Sequence, residues 1–222
     1  MSNIIHLLPE WLSAIGTVGA VLVALFLKPI LNCINRPKIE IVYNNEPPFY
    51  EIREDEANSS SIDKRLVVRV CITNCGKYTA EHAVVNIDEY YSKRTKDDTY
   101  VKKSFTPRQF RDCNNAKLSV IAPCLKYYID IAIIQKFQDI IADGEKGSSK
   151  QNYKLYLLGE GKVEKLGRGT FIIPLKFYSS RTDMIIKYLY VYWESDSLTT
   201  QKDNFEVKII SKKEFNKISK LP

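Results

Sequence analysis

The feature that most constrains this chain is an apolar run near its N-terminus. Residues 11–27 carry no charge and include two polar side chains, Ser13 and Thr17. As an α-helix with about 1.5 Å of rise per residue, the run would be roughly 25 Å long, close to the roughly 30 Å hydrocarbon core of a bilayer. A buried core helix is the alternative for an apolar run of this length.

The flanking residues favour a membrane span over a core helix. Trp11 would place an amphipathic ring at one membrane interface, and Lys28 could extend its ammonium group to the headgroups at the other. Pro9 and Glu10 suit the first turn of a helix, which we therefore expect to begin there. We interpret residues 1–36 as a transmembrane anchor with its juxtamembrane segment, held in the lipid bilayer by Trp11 and Lys28.

The basic residues around the run predict its orientation. No Lys or Arg precedes it, whereas Lys28, Arg36 and Lys38 follow it directly. Because basic residues next to a span tend to stay in the cytoplasm, we expect a single-pass protein of the cell membrane with a cytoplasmic C-terminal domain. One helix face carries small side chains that would permit a homo-oligomer through the span, namely Ser13, Gly16, Thr17 and Ala20.

The composition limits the function classes. The 222 residues carry a net charge of +7, which an anionic membrane surface alone would explain. Five cysteines in no compact framework suit a reducing compartment. Two histidines, His6 and His82, argue against histidine-rich metal sites and a Ser-His-Asp hydrolase. We therefore expect a protein that is not an enzyme, without catalytic, cofactor-binding or metal-binding residues.

Alternating apolar residues predict an all-β domain of eight or nine strands over residues 37–210. The clearest strand covers residues 66–73, and residues 127–134 should place Ile129, Ile131 and Ile133 on one face with Asp130 on the other. Apolar residues on both faces of 184–194 indicate a central strand, or a strand whose tyrosines meet a partner. Residues 211–222 form a short basic tail with helical character.

Two turn residues carry their own expectations. Gly76 lies in the turn after residues 66–73 and, as a glycine, is able to adopt a positive φ there. Pro174 lies within the strand predicted over 170–178, and because it has no N–H it should occupy a sheet edge or a bulge.

One stretch carries a resemblance to known proteins. The text VVRVCITNCGKYTAEHAVVNI resembles the strand, N-x-G-K-x-x-A turn and strand of bacterial immunoglobulin-like β-sandwiches. With the anchor, RPKIEI and the late GRGTFIIPLKF, it is similar to uncharacterised bacterial single-span membrane proteins. The resemblance implies an immunoglobulin-like β-sandwich and no particular activity. A small closed β-barrel built from the same strands is the alternative.

Residues 90–126 are the most basic and least regular part of the sequence. They contain nine basic and three acidic residues with tyrosines and phenylalanines between them. Such a mixture suits contacts with phosphates and bases, so the candidate residues for an anionic ligand are Lys102, Lys103, Arg108 and Arg111. The plainer interpretation is a solvated loop whose aromatic rings pack back onto the domain.

Three function hypotheses follow. The leading one is a membrane-tethered, non-enzymatic interaction or sensing module that binds an unidentified protein through residues 184–194 or the basic region. The second rests on a resemblance to membrane effectors of bacterial antiviral defence, and the four basic candidates would then hold a cyclic nucleotide. The third is an adhesion module outside the cytoplasm, which the opposite orientation of the span would require.

Overall fold

A computed structural model of the chain describes residues 3–34, 36–55, 63–94, 98–111, 117–137, 152–159, 164–195 and 204–219. Helix α1 covers Asn3–Ile34. The expectation that this helix begins at Pro9 is wrong, since it begins at Asn3 and passes through both Pro9 and Pro29.

The long apolar helix predicted near the N-terminus is confirmed. The 21 residues Trp11–Leu31 are long and apolar enough to cross a bilayer, and none of this stretch is buried against the rest of the described chain. The Thr17 hydroxyl donates a hydrogen bond to the Ser13 carbonyl oxygen at 2.9 Å, so this polar group is satisfied within the helix. The side chain of Lys28 lies outside the described residues.

The rest of the described chain is almost entirely β. Its elements are β1 Ile39–Val42, β2 Tyr50–Asp55, β3 Asp63–Asn74, β4 Ala80–Glu81, β5 Val84–Lys93, β6 Val101–Gln109, β7 Val120–Ile121, β8 Lys126–Phe137, β9 Asn152–Leu157, β10 Glu164–Gly167, β11 Gly169–Ser179, β12 Thr182–Trp193, β13 Phe205–Ile210 and helix α2 Lys212–Ser219. The all-β class and the helical tail are confirmed, while the predicted number of strands was too low.

The strands form two main antiparallel sheets. The first has the order β1-β3-β8-β9-β10, with β2 also paired to β3, and the second has the order β13-β12-β11-β5-β6. Strands β4 and β7 pair separately at one end. Within the described residues neither sheet closes on itself, so the structure has open sheets in place of the closed barrel that was the alternative.

One hydrophobic core joins the two sheets. It includes Val70 and Ile129 from the first sheet and Ile173, Leu189 and Trp193 from the second, all fully or almost fully buried. Strand β3 shows why the sequence builds this core, since alternate residues from Leu66 onward lie in it, as predicted. The sheets therefore pack face to face, and each keeps an outer face for other contacts.

The alternation predicted for β8 is correct in its first half alone. Strands β3 and β8 pair with a shift in register at which Ile131 is the extra residue on β8. A bulge of this kind reverses the sides of the residues that follow it. Ile133 therefore lies on the outer face, while Ile129 lies in the core and Asp130 is on the outer face as expected.

The two turn residues have different outcomes. Pro174 lies at a break in the pairing of β11 with β5, which confirms its assignment to a bulge. Gly76 does not use the positive φ that is open to glycine, since the described glycines with positive φ are Gly167 and Gly169. A Cβ at position 76 would lie 2.7 Å from the backbone nitrogen of Lys38, so close packing of two backbones is what requires glycine there.

The prediction that residues 90–126 form an irregular loop is largely wrong. Tyr90 and Tyr91 belong to β5, and residues 101–109 form β6, which pairs with β5. Residues 95–97 and 112–116 of this region lie outside the described part of the chain.

Candidate interaction surface

The first candidate surface is β6, which carries most of the basic residues singled out in the sequence. In the described chain β6 pairs with β5 alone, and most of its residues are exposed. Lysines and Pro107 lie along it. Lysine and proline on an exposed edge discourage pairing with another strand, so protection of the sheet edge accounts for part of this composition.

Lys102 lies on the outer face of the second sheet. It is opposite Tyr91, and its Nζ lies 2.6 Å from Oε2 of Glu89 and 5.9 Å from the centre of the Tyr91 ring. The hydrogen bond to Glu89 raises the pKa of Lys102. Its positive charge is therefore already paired with a carboxylate.

Lys103 points to the opposite side of the sheet. It is opposite Tyr90, a core residue, and its Nζ lies 5.7 Å from the centre of that ring. Since neighbouring residues of a strand point to opposite faces, Lys102 and Lys103 do not meet on one surface.

Arg108 and Arg111 lie further along the chain. The Arg108 guanidinium lies 3.2 Å from Glu164 of β10 and 4.6 Å from the centre of the Phe105 ring. Arg111 follows β6 and forms an isolated bridge with Lys117. At about 3.3 Å per residue, Lys102 and Arg111 are separated by more than roughly 20 Å along the strand. The structure does not gather the four basic candidates into one anion site.

The second candidate surface is the tyrosine face, which we define as Tyr91, Tyr100, Tyr188, Tyr190 and Tyr192 on the outer side of the second sheet. Strand β12 lies between β11 and β13, which confirms the central position expected for 184–194. Helix α2 covers part of this face. Its Phe215 stacks on Tyr188 at 4.3 Å between ring centres and meets Tyr91 edge-on at 5.0 Å.

The part of the tyrosine face that α2 leaves uncovered combines aromatic rings with cations. Nζ of Lys208 lies 4.9 Å from the centre of the partly exposed Tyr190 ring, whereas the Tyr100 ring, 5.0 Å from Nζ of Lys93, is buried. The Tyr192 hydroxyl donates to Glu194. This bond, with burial, raises the pKa of Tyr192 to about 12, so the phenol stays a neutral donor at physiological pH.

The two partly exposed tyrosines of this face, Tyr190 and Tyr192, offer an apolar ring together with a polar tip. Side chains of this type are enriched at protein interfaces, where the ring is buried and the hydroxyl finds a partner. The uncovered part of the tyrosine face therefore has the composition of a protein-binding surface.

A third charged cluster lies on the outer face of the first sheet, and we name it the Arg69 network. Arg69, which is 5% exposed, places Nε 2.6 Å from Oδ1 of Asp130 and Nη2 2.6 Å from Oε2 of Glu51. Nη1 of Arg53 lies 3.5 Å from Oδ2 of Asp130. Burial raises the pKa of Asp130, although Arg69 acts in the opposite direction.

The Arg69 network was not predicted from the sequence, although the sequence contains a signal for it. Arg69 and Asp130 are single charged residues within apolar strands, in LVVRVCIT and YYIDIAII. Two such residues of opposite sign are expected to pair, because an isolated buried charge is costly. Arg65 adds a further positive charge near Asp130, so each acid of the network faces basic partners and the network is a structural element of the sheet.

The described cysteines and His82 form no cluster with metal-ligand character. Cys71 is buried, Cys75 and Cys124 are exposed, and His82 lies in a turn with φ of 53°. In the ranges that the structure describes, no group of three or more His, Cys, Asp or Glu residues is placed to hold a metal ion.

Comparison with known proteins adds no identification. No family model, curated protein or solved structure matches the chain. The resemblance to bacterial single-span membrane proteins therefore stays a prediction from sequence.

Replacement of Phe215 by alanine should detach α2 from the tyrosine face. The ring is 8% exposed and contacts both Tyr188 and Tyr91. Replacing a buried phenylalanine by alanine lowers the free energy of unfolding by up to about 5 kcal/mol. Here the eight-residue helix can undock while the sheets stay folded, so we expect a decrease of roughly 2 kcal/mol. Hydrogen exchange should show amide protection lost in α2 and kept in β8. Unchanged protection in α2 would contradict this packing, and Lys213→Ala on an exposed position of the same helix is the control.

Proposed function

We propose that this protein is a non-enzymatic, single-pass membrane protein whose immunoglobulin-like domain lies in the cytoplasm and binds a protein through the uncovered part of the tyrosine face. The observation that carries the proposal is α1. A helix of this length with a fully exposed apolar surface is stable in lipid and unfavourable in water.

The composition of the span gives the size of this preference. Between Trp11 and Leu31, eleven residues are Leu, Ile, Val or Phe. On the insertion scale for helices, they together favour the membrane by roughly 5 kcal/mol. Lys28, near the end of the span, can extend toward the headgroups and so reduces this gain little.

The order of the strands supports an immunoglobulin-like domain. In that fold, strands A, B and E are neighbours in one sheet and C, F and G are neighbours in the other. Here β1, β3 and β8 are neighbours in the first sheet, and β5, β11 and β12 are neighbours in the second. Strand β9 departs from this order, because it lies beside β8 where strand D is expected but follows β8 in the chain.

The tyrosine face is the better supported of the two candidate binding surfaces. Its aromatic side chains lie together on one sheet face, whereas Lys102 and Arg108 of β6 each contact a carboxylate. A protein partner fits because the surface mixes rings, phenol donors and lysines without a concentrated charge.

Orientation and membrane attachment can be tested together on the full chain in cells. The protein should stay with membranes after a carbonate wash. A membrane-impermeant maleimide should label Cys75 and Cys124, which are exposed, after the cells are permeabilised but not before. Labelling of intact cells would place the domain outside and support the adhesion hypothesis, and release by carbonate would overturn the membrane anchor.

The binding surface can be tested by photo-crosslinking in the same cells. A photoreactive residue at position 192 should give a discrete cross-linked product with a second protein. The same residue at position 101, an exposed site on β6, is the control and should not. Equal patterns from both positions would contradict the assignment of the tyrosine face.

A further inference from the structure

The path of the chain between α1 and the first sheet brings one end of the domain close to the proposed membrane. Arg36 follows the last residue of the span, Leu31, by five positions. A fully extended chain covers at most about 3.5 Å per residue, so Arg36 lies within roughly 18 Å of the end of the span. The headgroup layer lies within that reach.

Hydrogen bonds gather several turns around this point. Nη1 of Arg36 lies 2.9 Å from Oδ2 of Asp183, which follows the turn between β11 and β12. The backbone nitrogen of Cys75 donates to the Lys38 carbonyl at 2.7 Å. The nitrogen of Cys124 donates to the carbonyl oxygen of the residue before Cys75. We name this end of the domain, formed by residues 36–38, 75–82, 120–126 and 178–184, the proximal end.

The proximal end holds most of the exposed apolar side chains of the domain. In the described part of the chain outside α1, seven large apolar side chains are exposed. Five of them lie here, namely Tyr78, Val120, Leu125, Tyr178 and Met184. Leu125, next to a turn, is 54% exposed, and Met184, the third residue of β12, is 50% exposed. Such a concentration marks a surface that contacts something apolar.

Basic side chains surround these apolar residues. Lys38, Lys77 and Lys126 are exposed, and no ion pair joins them to any other described residue. Arg36 and Arg181 are each paired with an exposed acid, Asp183 and Glu81. A third acid, Glu40, lies in β1 beside the proximal end and accepts a hydrogen bond from the Cys75 thiol. Five basic groups therefore stand against three acidic ones.

A cavity lies within this surface. It has a volume of about 220 Å³ and is lined by Arg36, Ser180, Arg181, Thr182 and Asp183. The two guanidinium groups supply the donors that a phosphate group requires, while the hydroxyls of Ser180 and Thr182 bond to the Glu81 carbonyl and the Ser179 hydroxyl. The Asp183 side chain is 87% exposed, so its ion pair with Arg36 is open to water and weak enough for a phosphate to replace it.

We propose that the proximal end rests on the membrane surface, with its exposed apolar side chains in the interfacial layer and the Arg36–Arg181 cavity holding the phosphate of an anionic lipid headgroup. This inference depends on the membrane anchor of the proposed function. Lysines and arginines around exposed apolar groups are the composition that binds an anionic lipid surface.

The test uses the full chain in vesicles and a fluorophore on Cys124. The exposed or undescribed cysteines Cys33, Cys75 and Cys113 are replaced by serine, and Cys71 stays because it is buried. Quenching by a nitroxide attached to lipid headgroups then reports the distance to the membrane surface. Vesicles of phosphatidylcholine with one quarter phosphatidylglycerol should give at least threefold stronger quenching at position 124 than at a control cysteine introduced by Val101→Cys.

Charge variants separate specific contact from simple proximity. Lys77→Glu with Arg181→Glu should reduce quenching at position 124 to the level at position 101. The matched control, Arg94→Glu with Lys103→Glu, makes the same charge change on exposed residues far from the proximal end and should leave quenching unchanged. In vesicles of pure phosphatidylcholine, quenching at position 124 should be weaker. Inorganic phosphate added to these vesicles should not restore the difference in quenching between positions 124 and 101.

Two negative results of this experiment would contradict different parts of the proposal. Equal quenching at positions 124 and 101, in protein that still floats with vesicles after a carbonate wash, would overturn the docked surface and leave the anchor intact. Protein that does not float with vesicles would overturn the proposed function itself.

Discussion

A chain with Val21→Arg and Leu22→Arg is expected in the soluble fraction, where the unchanged chain stays in the membrane. Both positions lie at the middle of the apolar stretch Trp11–Leu31. Each central arginine costs about 3 kcal/mol on the insertion scale, so two of them cancel a preference of roughly 5 kcal/mol. The measurement is the fraction of protein in the pellet after a carbonate wash, which should fall at least tenfold.

The position of the charges provides the control for this prediction. Trp11→Arg with Leu12→Arg makes the same chemical change at the end of the stretch, where the long side chains can reach the headgroups. This variant should keep most of the protein in the pellet. If the central variant is also retained after carbonate, α1 does not cross the bilayer and the proposed function loses its main support.

The elements that the sequence predicted well are those with a strong periodic pattern. The strand over residues 66–73 alternates regularly between the core and the outer face, and Trp193 ends a strand whose alternate residues enter the same core. Pro174 was expected at a sheet edge or a bulge, because a missing N–H cannot complete a ladder, and it lies at a break in the pairing of β11 with β5. Local chemistry determined each of these features.

Strand β6 shows what a local pattern cannot give. Both of its faces are largely exposed because it lies at the edge of the sheet, so no alternation of apolar and polar residues distinguishes it from a loop. Likewise the bulge at Ile131 depends on the partner strand β3. The pairing between strands, and not the residues of one strand, decides such features.

The anion site predicted at the four basic residues does not form, and strand geometry is again the reason. Lys102 and Lys103 are neighbours in sequence, but strand geometry sends them to opposite faces, where one meets Glu89 and the other the ring of Tyr90. The Arg69 network joins residues 61 positions apart. Proximity in sequence therefore suggested a cluster that does not form and gave no direct indication of one that does.

The Arg69 network leads to the second large expected effect. Asp130→Ala should lower the free energy of unfolding by about 3 kcal/mol, because it leaves a buried guanidinium with Glu51 as its main partner. Burial lowers the pKa of Arg69, but its bonds to Asp130 and Glu51 outweigh this and raise it. The expected loss therefore reflects the stranded Arg69 cation, since burial already raises the pKa of Asp130.

Urea unfolding of the full chain in detergent, followed by the fluorescence of buried Trp193 in a Trp11→Phe background, measures this effect. Glu206→Ala is the matched control, because it removes an acid from the exposed ion pair with Lys208 and should cost less than about 1 kcal/mol. The double variant Arg69→Met with Asp130→Leu removes both charges together and should lie within about 1 kcal/mol of the unchanged chain. A double variant as unstable as Asp130→Ala would show that the network stabilises the sheet through its hydrogen bonds. Equal effects of Asp130→Ala and Glu206→Ala on the free energy of unfolding would show that Arg69 is not buried.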